Sequence, residues 1–325
     1  MTEGTIHDLR TPSLLLDRGI LKRNLRRMAG RATELDVALR PHMKTAKCLE
    51  VAALATDGQA GGVTVSTLAE AEALAGAGYR DILYGVGITP DKLAAVAAIQ
   101  AGGARVAMVL DDPETAKAVV ERAAVLNGSF AFLIEIDSGQ HRAGLQPDDP
   151  QVLEVAGIID GGGNTELLGV MSHAGHSYNC ASIAEIQAVA AAERDAVVAA
   201  AGAIGGRGLT CPVVSVGSTP TALHARDLTG VTEMRPGVYM FGDLYQTAIG
   251  SCGPEDIALS VMAAVVGRRP AEGRALIDAG ALALSQDRGW QGPGDEVCYG
   301  VAVDIDGRPL PGRLCNTKYG LSAFR

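Results

Sequence analysis

No cysteine pair, no basic excess and no long apolar run marks this 325-residue chain. Its six cysteines, Cys48, Cys180, Cys211, Cys252, Cys298 and Cys315, are scattered without a Cys-x-x-Cys pair or a repeated spacing. That excludes a zinc knuckle or a disulfide framework, and the expected setting is the reducing cytoplasm. Lys and Arg number 28 against 37 Asp and Glu, a net charge of -9 with a pI near 5.2. With no basic footprint, nucleic acid and anionic membranes are excluded as expected partners. The opening Met1-Thr2-Glu3-Gly4-Thr5-Ile6-His7-Asp8 has no apolar stretch of a secretory signal, and no later run approaches the length of a membrane span. Aromatic residues are also scarce, at 4%. Small-molecule chemistry is the class that remains.

What is present is an α/β texture. Hydrophobic residues make up 47% of the chain, charged residues 20%, and glycine occurs 41 times, as in soluble α/β enzymes with many tight turns. Eight β-rich runs alternate with Ala-rich segments of helical period. They are Val37 to Lys44, Gly62 to Ser66, Asp81 to Tyr84, Arg105 to Leu110, Ala131 to Asp137, Leu167 to His173, Val213 to Val216 and Thr232 to Met240. Repeated βα units give a parallel sheet, and eight of them predict a (β/α)8 barrel. After Asp243 the helical period stops, and runs such as Ile257 to Val266, Arg274 to Ala283 and Glu296 to Ile305 are broken by Gly-Pro and Asp-Gly turns. That pattern predicts a second, smaller antiparallel β domain. The expected division is a barrel over residues 18–243 and a β domain of 1–17 with 244–325.

Lys44 closes the first β run, in Leu39-Arg40-Pro41-His42-Met43-Lys44-Thr45. In an extended chain, Arg40, His42 and Lys44 share one face. Neighbouring cations and burial both favour the neutral amine, which is the form a nucleophilic, Schiff-base lysine needs. The alternative is a solvated lysine before a helix. Lys47, one helical turn further on, is the rival amine, placed on the helix rather than the strand.

Barrel active sites form at the carboxyl ends of the strands. Those ends supply Glu135-Ile136-Asp137-Ser138-Gly139-Gln140-His141-Arg142-Ala143-Gly144, Ser172-His173-Ala174-Gly175-His176, Gly217-Ser218-Thr219 and Arg235-Pro236-Gly237-Val238-Tyr239. The loops after strands seven and eight frequently bind phosphate, and Gly217-Ser218-Thr219 offers amides and hydroxyls for one; the same turn could equally be an ordinary helix cap. Glu135 and Asp137 are read as partners that tie down arginines, since charges in a barrel need them. His42 and His176 are either substrate bases or ordinary structural histidines.

Pro41-His42-Met43-Lys44-Thr45, Glu135-Ile136-Asp137-Ser138-Gly139 through Arg142-Ala143-Gly144, His173, Gly217-Ser218-Thr219 and Arg235-Pro236-Gly237-Val238-Tyr239 follow one another in the order seen in fold-type III pyridoxal-phosphate enzymes. From about Thr11 to Val303 the chain resembles the D-threonine aldolase and D-serine dehydratase family, relatives of alanine racemase. The resemblance implies that Lys44 carries pyridoxal 5'-phosphate and that His173 stacks on its ring. It implies a phosphate cup of Ser218, Thr219, Gly237 and Tyr239. Arg235 matches the arginine facing the ring nitrogen, with Arg142 competing for a place beside the ring. An arginine cannot protonate that nitrogen, so the ring would be a weaker electron sink than one paired with a carboxylate.

The family is also assisted by a divalent metal (Mn, Mg or Zn), held by a histidine and a cysteine or aspartate of the carboxy-terminal β domain. That pair is not found in this sequence, whose last histidine is His224. The expectation is therefore a β domain shortened at its carboxyl end, either in a truncated homologue or in a member that manages without metal. His176 or His42 would then serve as base. The leading expectation is retro-aldol cleavage of a D-β-hydroxy-α-amino acid to glycine and an aldehyde. The alternatives are dehydration of D-serine or D-threo-3-hydroxyaspartate, racemisation, a non-catalytic pyridoxal-phosphate-binding homologue, and a class I aldolase using a bare lysine. The resemblance further implies a cytoplasmic homodimer.

Overall fold

The computed structural model describes residues 5–280, 282–285, 290–291, 297–298, 300–305, 307–308, 310, 314–318 and 321–324. The chain divides into two compact units, Asn24–Met240 and Met1–Arg23 with Phe241–Arg325.

Eight parallel strands form the sheet of the larger unit: Ala38–Leu39, Val63–Val65, Asp81–Gly87, Arg105–Leu110, Phe130–Glu135, Thr165–Met171, Val213–Val216 and Glu233–Met234, here called barrel strands one to eight. Strand one pairs with eight, and the order then runs back from eight to two. The sheet closes between one and two through a parallel bridge of His42 with Thr64, where Met43 N donates to Thr64 O (2.8 Å) and Thr64 N donates to Pro41 O (2.9 Å). The expected (β/α)8 barrel is the fold observed. Strands two and five are buried along their whole length, as parallel strands covered on both faces must be, and for that reason they read as continuous apolar runs.

Helices between the strands start where the sequence provides caps. Asp112 accepts from Thr115 N ahead of Pro113–Leu126, Asp149 from Gln151 N ahead of Pro150–Asp160, and Ser182 from Glu185 N ahead of Ile183–Gly206. Each cap satisfies an amide that the first helical turn leaves without a partner.

Six of the eight β runs coincide with barrel strands to within a few residues; strands one and eight are shorter than the sequence pattern predicts. Proline is the reason in both. Pro41 and Pro236 have no N–H to give, so the ladder of strand one with strand eight ends at Leu39; single bonds continue from Arg40 N to Met234 O and from His42 N to Pro236 O (2.9 Å each), and His42 bridges Thr64 on strand two. Pro236 ends strand eight, and Val238–Met240 turns into a 3-10 helix. The helix after strand one begins at Leu49, which leaves Lys44 on the intervening turn.

The barrel interior is divided in character. Strands three to six pack Leu83, Ala107, Val109, Ala131, Leu133, Leu168 and Met171 into an apolar cluster. Strands one, seven and eight carry charge and hydroxyls instead. Arg40 donates to Glu233 at 2.7 Å and, through two nitrogens, to Asp81 at 2.9 and 2.8 Å. Ser215 Oγ donates to Glu233 Oε1 at 2.5 Å, and Arg235 donates to Ser215 Oγ. Arg40, Glu233 and Arg235 are all buried, and such charges persist away from water only because they are paired.

In the smaller unit, Ser13–Leu16 pairs antiparallel with Leu259–Met262. Val265–Arg269, Arg274–Ile277, Leu321–Phe324 and Leu314–Lys318 form a four-stranded antiparallel sheet, and Trp290–Gln291 pairs with Val297–Cys298. This is the expected antiparallel β structure. The predicted run over Glu296 to Ile305 lies partly outside the described residues.

Candidate active site

The carboxyl ends of the barrel strands enclose a cavity of about 290 Å3. His42, in register with Arg40 at the end of strand one, and Lys44, on the turn that follows, both line its wall. Strand five and its loop supply Glu135 and Arg142, strand six supplies His173, and strands seven and eight supply Gly217 and Arg235. Thus Lys44, His42, Arg142, His173 and Arg235, all singled out from the sequence, are brought together.

Electrostatics in the cavity favour a reactive amine. Burial lowers the Lys44 pKa, and the nearby Arg142 and Arg235 lower it further, although the carboxylate of Glu70 opposes them. Lys44 still keeps contact with solvent. Lys47 instead points to Glu70, with an N–O distance of 3.4 Å, and is not among the lining residues. His42 is pushed down to about 2, chiefly by burial and then by Lys44. His173 is pushed down to about 4 by burial, against the support of its 2.6 Å contact between Nδ1 and Gly217 O. Both imidazoles are neutral at pH 7 and are not proton donors there. Glu135 is raised by burial and lies 3.6 Å from Arg142. Asp137 is taken up within its own loop, accepting from Gly139 N (2.9 Å) and His141 N (3.0 Å) and meeting His141 Nδ1 at 2.7 Å.

The remaining sequence candidates are placed differently from the expectation. His176 lies on the 3-10 segment Gly175–Asn179 and does not line the cavity; its Nδ1 is buried without a partner. Ser218, Thr219, Gly237 and Tyr239 are also absent from the lining. The Ser218 hydroxyl meets Ser177 Oγ at 2.8 Å and Thr221 Oγ1 at 2.9 Å, as the cap of the short helix Thr219–His224. Thr219 Oγ1 accepts from Tyr239 N at 3.2 Å. These local bonds engage the Ser218 and Thr219 hydroxyls that the expected phosphate cup would turn toward a ligand.

One feature nevertheless fits an anionic cofactor beside this loop. The Tyr239 hydroxyl is buried with no partner, as for a group awaiting an acceptor. The backbone is tight at two glycines. Gly217 has φ +147°, and a Cβ there would meet Arg235 N at 2.6 Å; a Cβ on Gly237 would meet Thr45 Oγ1 at 2.8 Å and His42 O at 2.9 Å. Only glycine lets these segments approach so closely. A metal has no comparable provision: among the described residues no group of three or more His, Cys, Asp or Glu side chains is arranged to hold one.

Glu193 escaped the reading of strand ends because it sits on a helix. It is 1% exposed, and its Oε1 accepts from Ala174 N and Gly217 N. The sequence did carry a signal, since Glu193 falls on the stripe of Ile186, Ala190, Val197, Ala200 and Ile204 that this helix buries.

Comparison with known proteins places the site in a lineage. Residues 16–245 match the alanine racemase, N-terminal domain family, and residues 258–318 match a serine dehydratase domain. D-threo-3-hydroxyaspartate dehydratase of Delftia sp. (strain HT23) is 41% identical over 99% of this chain and 85% of its own length, and its solved structure matches with a TM-score of 0.96. D-serine dehydratase of Dictyostelium discoideum is 32% identical over 87% of this chain and 76% of its own. The structure of D-threonine aldolase from Filomicrobium marinum is 27% identical, covers 98% of this chain and 83% of its own, and has a TM-score of 0.82. The chain belongs to the fold-type III, alanine-racemase-like family of D-serine dehydratases and D-threonine aldolases.

Proposed function

We propose that the protein is a pyridoxal-phosphate-dependent lyase that removes water from a D-β-hydroxy-α-amino acid, of the D-threo-3-hydroxyaspartate or D-serine type. The observation that carries this reading is the 41% identity to D-threo-3-hydroxyaspartate dehydratase over nearly the whole chain. Retro-aldol cleavage, the leading expectation from the sequence, has weaker support, since the aldolase structure is 27% identical.

When bound, pyridoxal phosphate supplies a carbonyl carbon for the substrate amine and a sink for the charge that develops at Cα. The residues that would hold it are Lys44, His173, Arg235 and the backbone at Gly217, with the Tyr239 hydroxyl as a donor for its phosphate. Lys44 is the cavity's amine and, once the substrate amine has replaced it, the base available for the Cα proton. Glu135, raised by burial against the pull of Arg142 and Arg235, is the one carboxyl of the lining available to exchange a proton with the substrate hydroxyl. His42 and His173 stay neutral and serve as walls and acceptors. Arg235 is held by Ser215 Oγ and by Ser172 O at 2.6 Å; it donates hydrogen bonds and keeps its protons. Arg142 and Arg235 remain as two guanidinium cations in the lining beside Glu135, which suits an anionic cofactor together with an acidic substrate.

The test is product analysis on the purified protein supplied with pyridoxal phosphate. With D-threo-3-hydroxyaspartate or D-serine the expected products are a keto acid and ammonia. A visible band near ~420 nm should require Lys44 and vanish in Lys44→Ala together with turnover. Glycine plus an aldehyde from D-threonine would establish the aldolase instead, and a mirror-image amino acid the racemase. No band with the wild-type protein would overturn the cofactor itself.

A further inference from the structure

Neither the β runs nor the proposed chemistry accounts for a carboxyl buried in the middle of the Ala-rich helix Ile183–Gly206. Glu193 has left water almost completely, which is costly unless hydrogen bonds replace the lost hydration. Its replacements are a side-chain hydrogen bond with Thr221 and two main-chain amides, Ala174 N at 2.9 Å and Gly217 N at 3.1 Å, both to Oε1.

The two amides belong to different strand ends. Strand six stops at Met171 and strand seven at Val216, so both lie just beyond the ladder that would otherwise satisfy them. Ala174 follows His173, and Gly217 precedes Ser218. On the other side of the same pair of loops, His173 Nδ1 meets Gly217 O at 2.6 Å. One carboxyl oxygen and one imidazole therefore join the same two segments. A carboxylate on an apolar helix face would be replaced at little cost by leucine if its only duty were packing.

We propose that Glu193 is a positioning residue that locks the backbone after strand six to the backbone after strand seven and so fixes the His173 ring against Gly217. Its importance for turnover rests on the function proposed above; the lock is a property of the cofactor-free chain.

Amide exchange followed by NMR on cofactor-free protein labelled with 15N at alanine, glycine and histidine tests it. In the wild-type chain, Ala174 and Gly217 should exchange as slowly as amides of the core strands such as Ala131, although neither lies in a strand. In Glu193→Met both should exchange at least about tenfold faster while Ala131 stays slow, and the His173 ring nitrogens should shift. Glu193→Gln keeps an oxygen in place and should retain wild-type exchange at both amides. Fast exchange in the wild type overturns the proposal. So does a folded Glu193→Met with unchanged exchange and His173 signals, or a Glu193→Gln that behaves as the Met variant does. If Glu193→Met does not fold, the wild-type rates decide, slow supporting and fast overturning. Turnover is assayed separately, so a chain that dehydrates no D-amino acid can still display the lock, and an active dehydratase can lack it.

Discussion

His42 and His173 are buried beside cations, and that pairing fixes the sign of their effect on stability. An unfolded histidine titrates near about 6.5, whereas the folded values are about 2 and about 4. Above pH 6.5 both states are neutral and nothing depends on pH. Below it the unfolded chain binds protons that the folded chain refuses, so stability falls with falling pH, by at most about 1.4 kcal/mol per pH unit for each histidine. Urea unfolding between pH 4.5 and 7 is expected to show that slope, and His42→Gln is expected to remove one proton's share of it. An unchanged slope in the variant would mean that His42 is already protonated when folded. At this scale the sequence is informative about residue type and strand position: Lys44, His42, Arg142, His173 and Arg235 were all recognisable as strand-end groups. It does not disclose which hydroxyls are already engaged. Ser218 is capped by Thr221 three residues away but also by Ser177, 41 residues earlier, and no local pattern announces that contact.

Strands and loops show the same division. Six β runs were legible because parallel strands buried on both faces must be apolar throughout. The two that were overestimated contain Pro41 and Pro236, where side-chain alternation continues after the ladder has stopped. His42 keeps the face that alternation gives it, whereas Lys44 reaches the cavity from the turn that follows. The loop after strand seven depends on backbone geometry that composition hides. Gly217→Ala would force a side chain onto φ +147° and into the Arg235 backbone. Strain of this type costs about 1 to 3 kcal/mol. Urea unfolding is expected to show a loss in that range, and pyridoxal phosphate titration a weaker affinity; an unchanged midpoint would show that the loop relaxes freely. Glu193 marks the corresponding limit for helices: helical period carries its buried face, but its partners come from two other elements that no local pattern points to.

At the level of the whole molecule, the βα rhythm and the later loss of helical period pointed to the barrel and the β structure after it. A homodimer is an expectation carried by the sequence resemblance alone, and sedimentation equilibrium tests it: twice the 33.4 kDa chain mass is expected, and a single chain mass at micromolar concentration would exclude it. The charged half of the barrel interior has a different reach. Arg40, Glu233, Ser215 and Arg235 are joined contact by contact, and Arg40 also reaches the exposed Asp81, so removing Glu233 takes a partner from both Arg40 and Ser215. Removing one partner of a buried ion pair costs about 3 to 5 kcal/mol, whereas replacing the pair by well-packed apolar residues is often neutral or stabilising. Glu233→Ala alone is thus expected to cost several kcal/mol, and the double change Arg40→Met with Glu233→Leu to recover the part that comes from the stranded Arg40, the loss at Ser215 and Arg235 remaining. Such an interior is a valley in sequence space: descendants of this chain can cross it only by paired substitutions, so Arg40 and Glu233 should be inherited together or exchanged together.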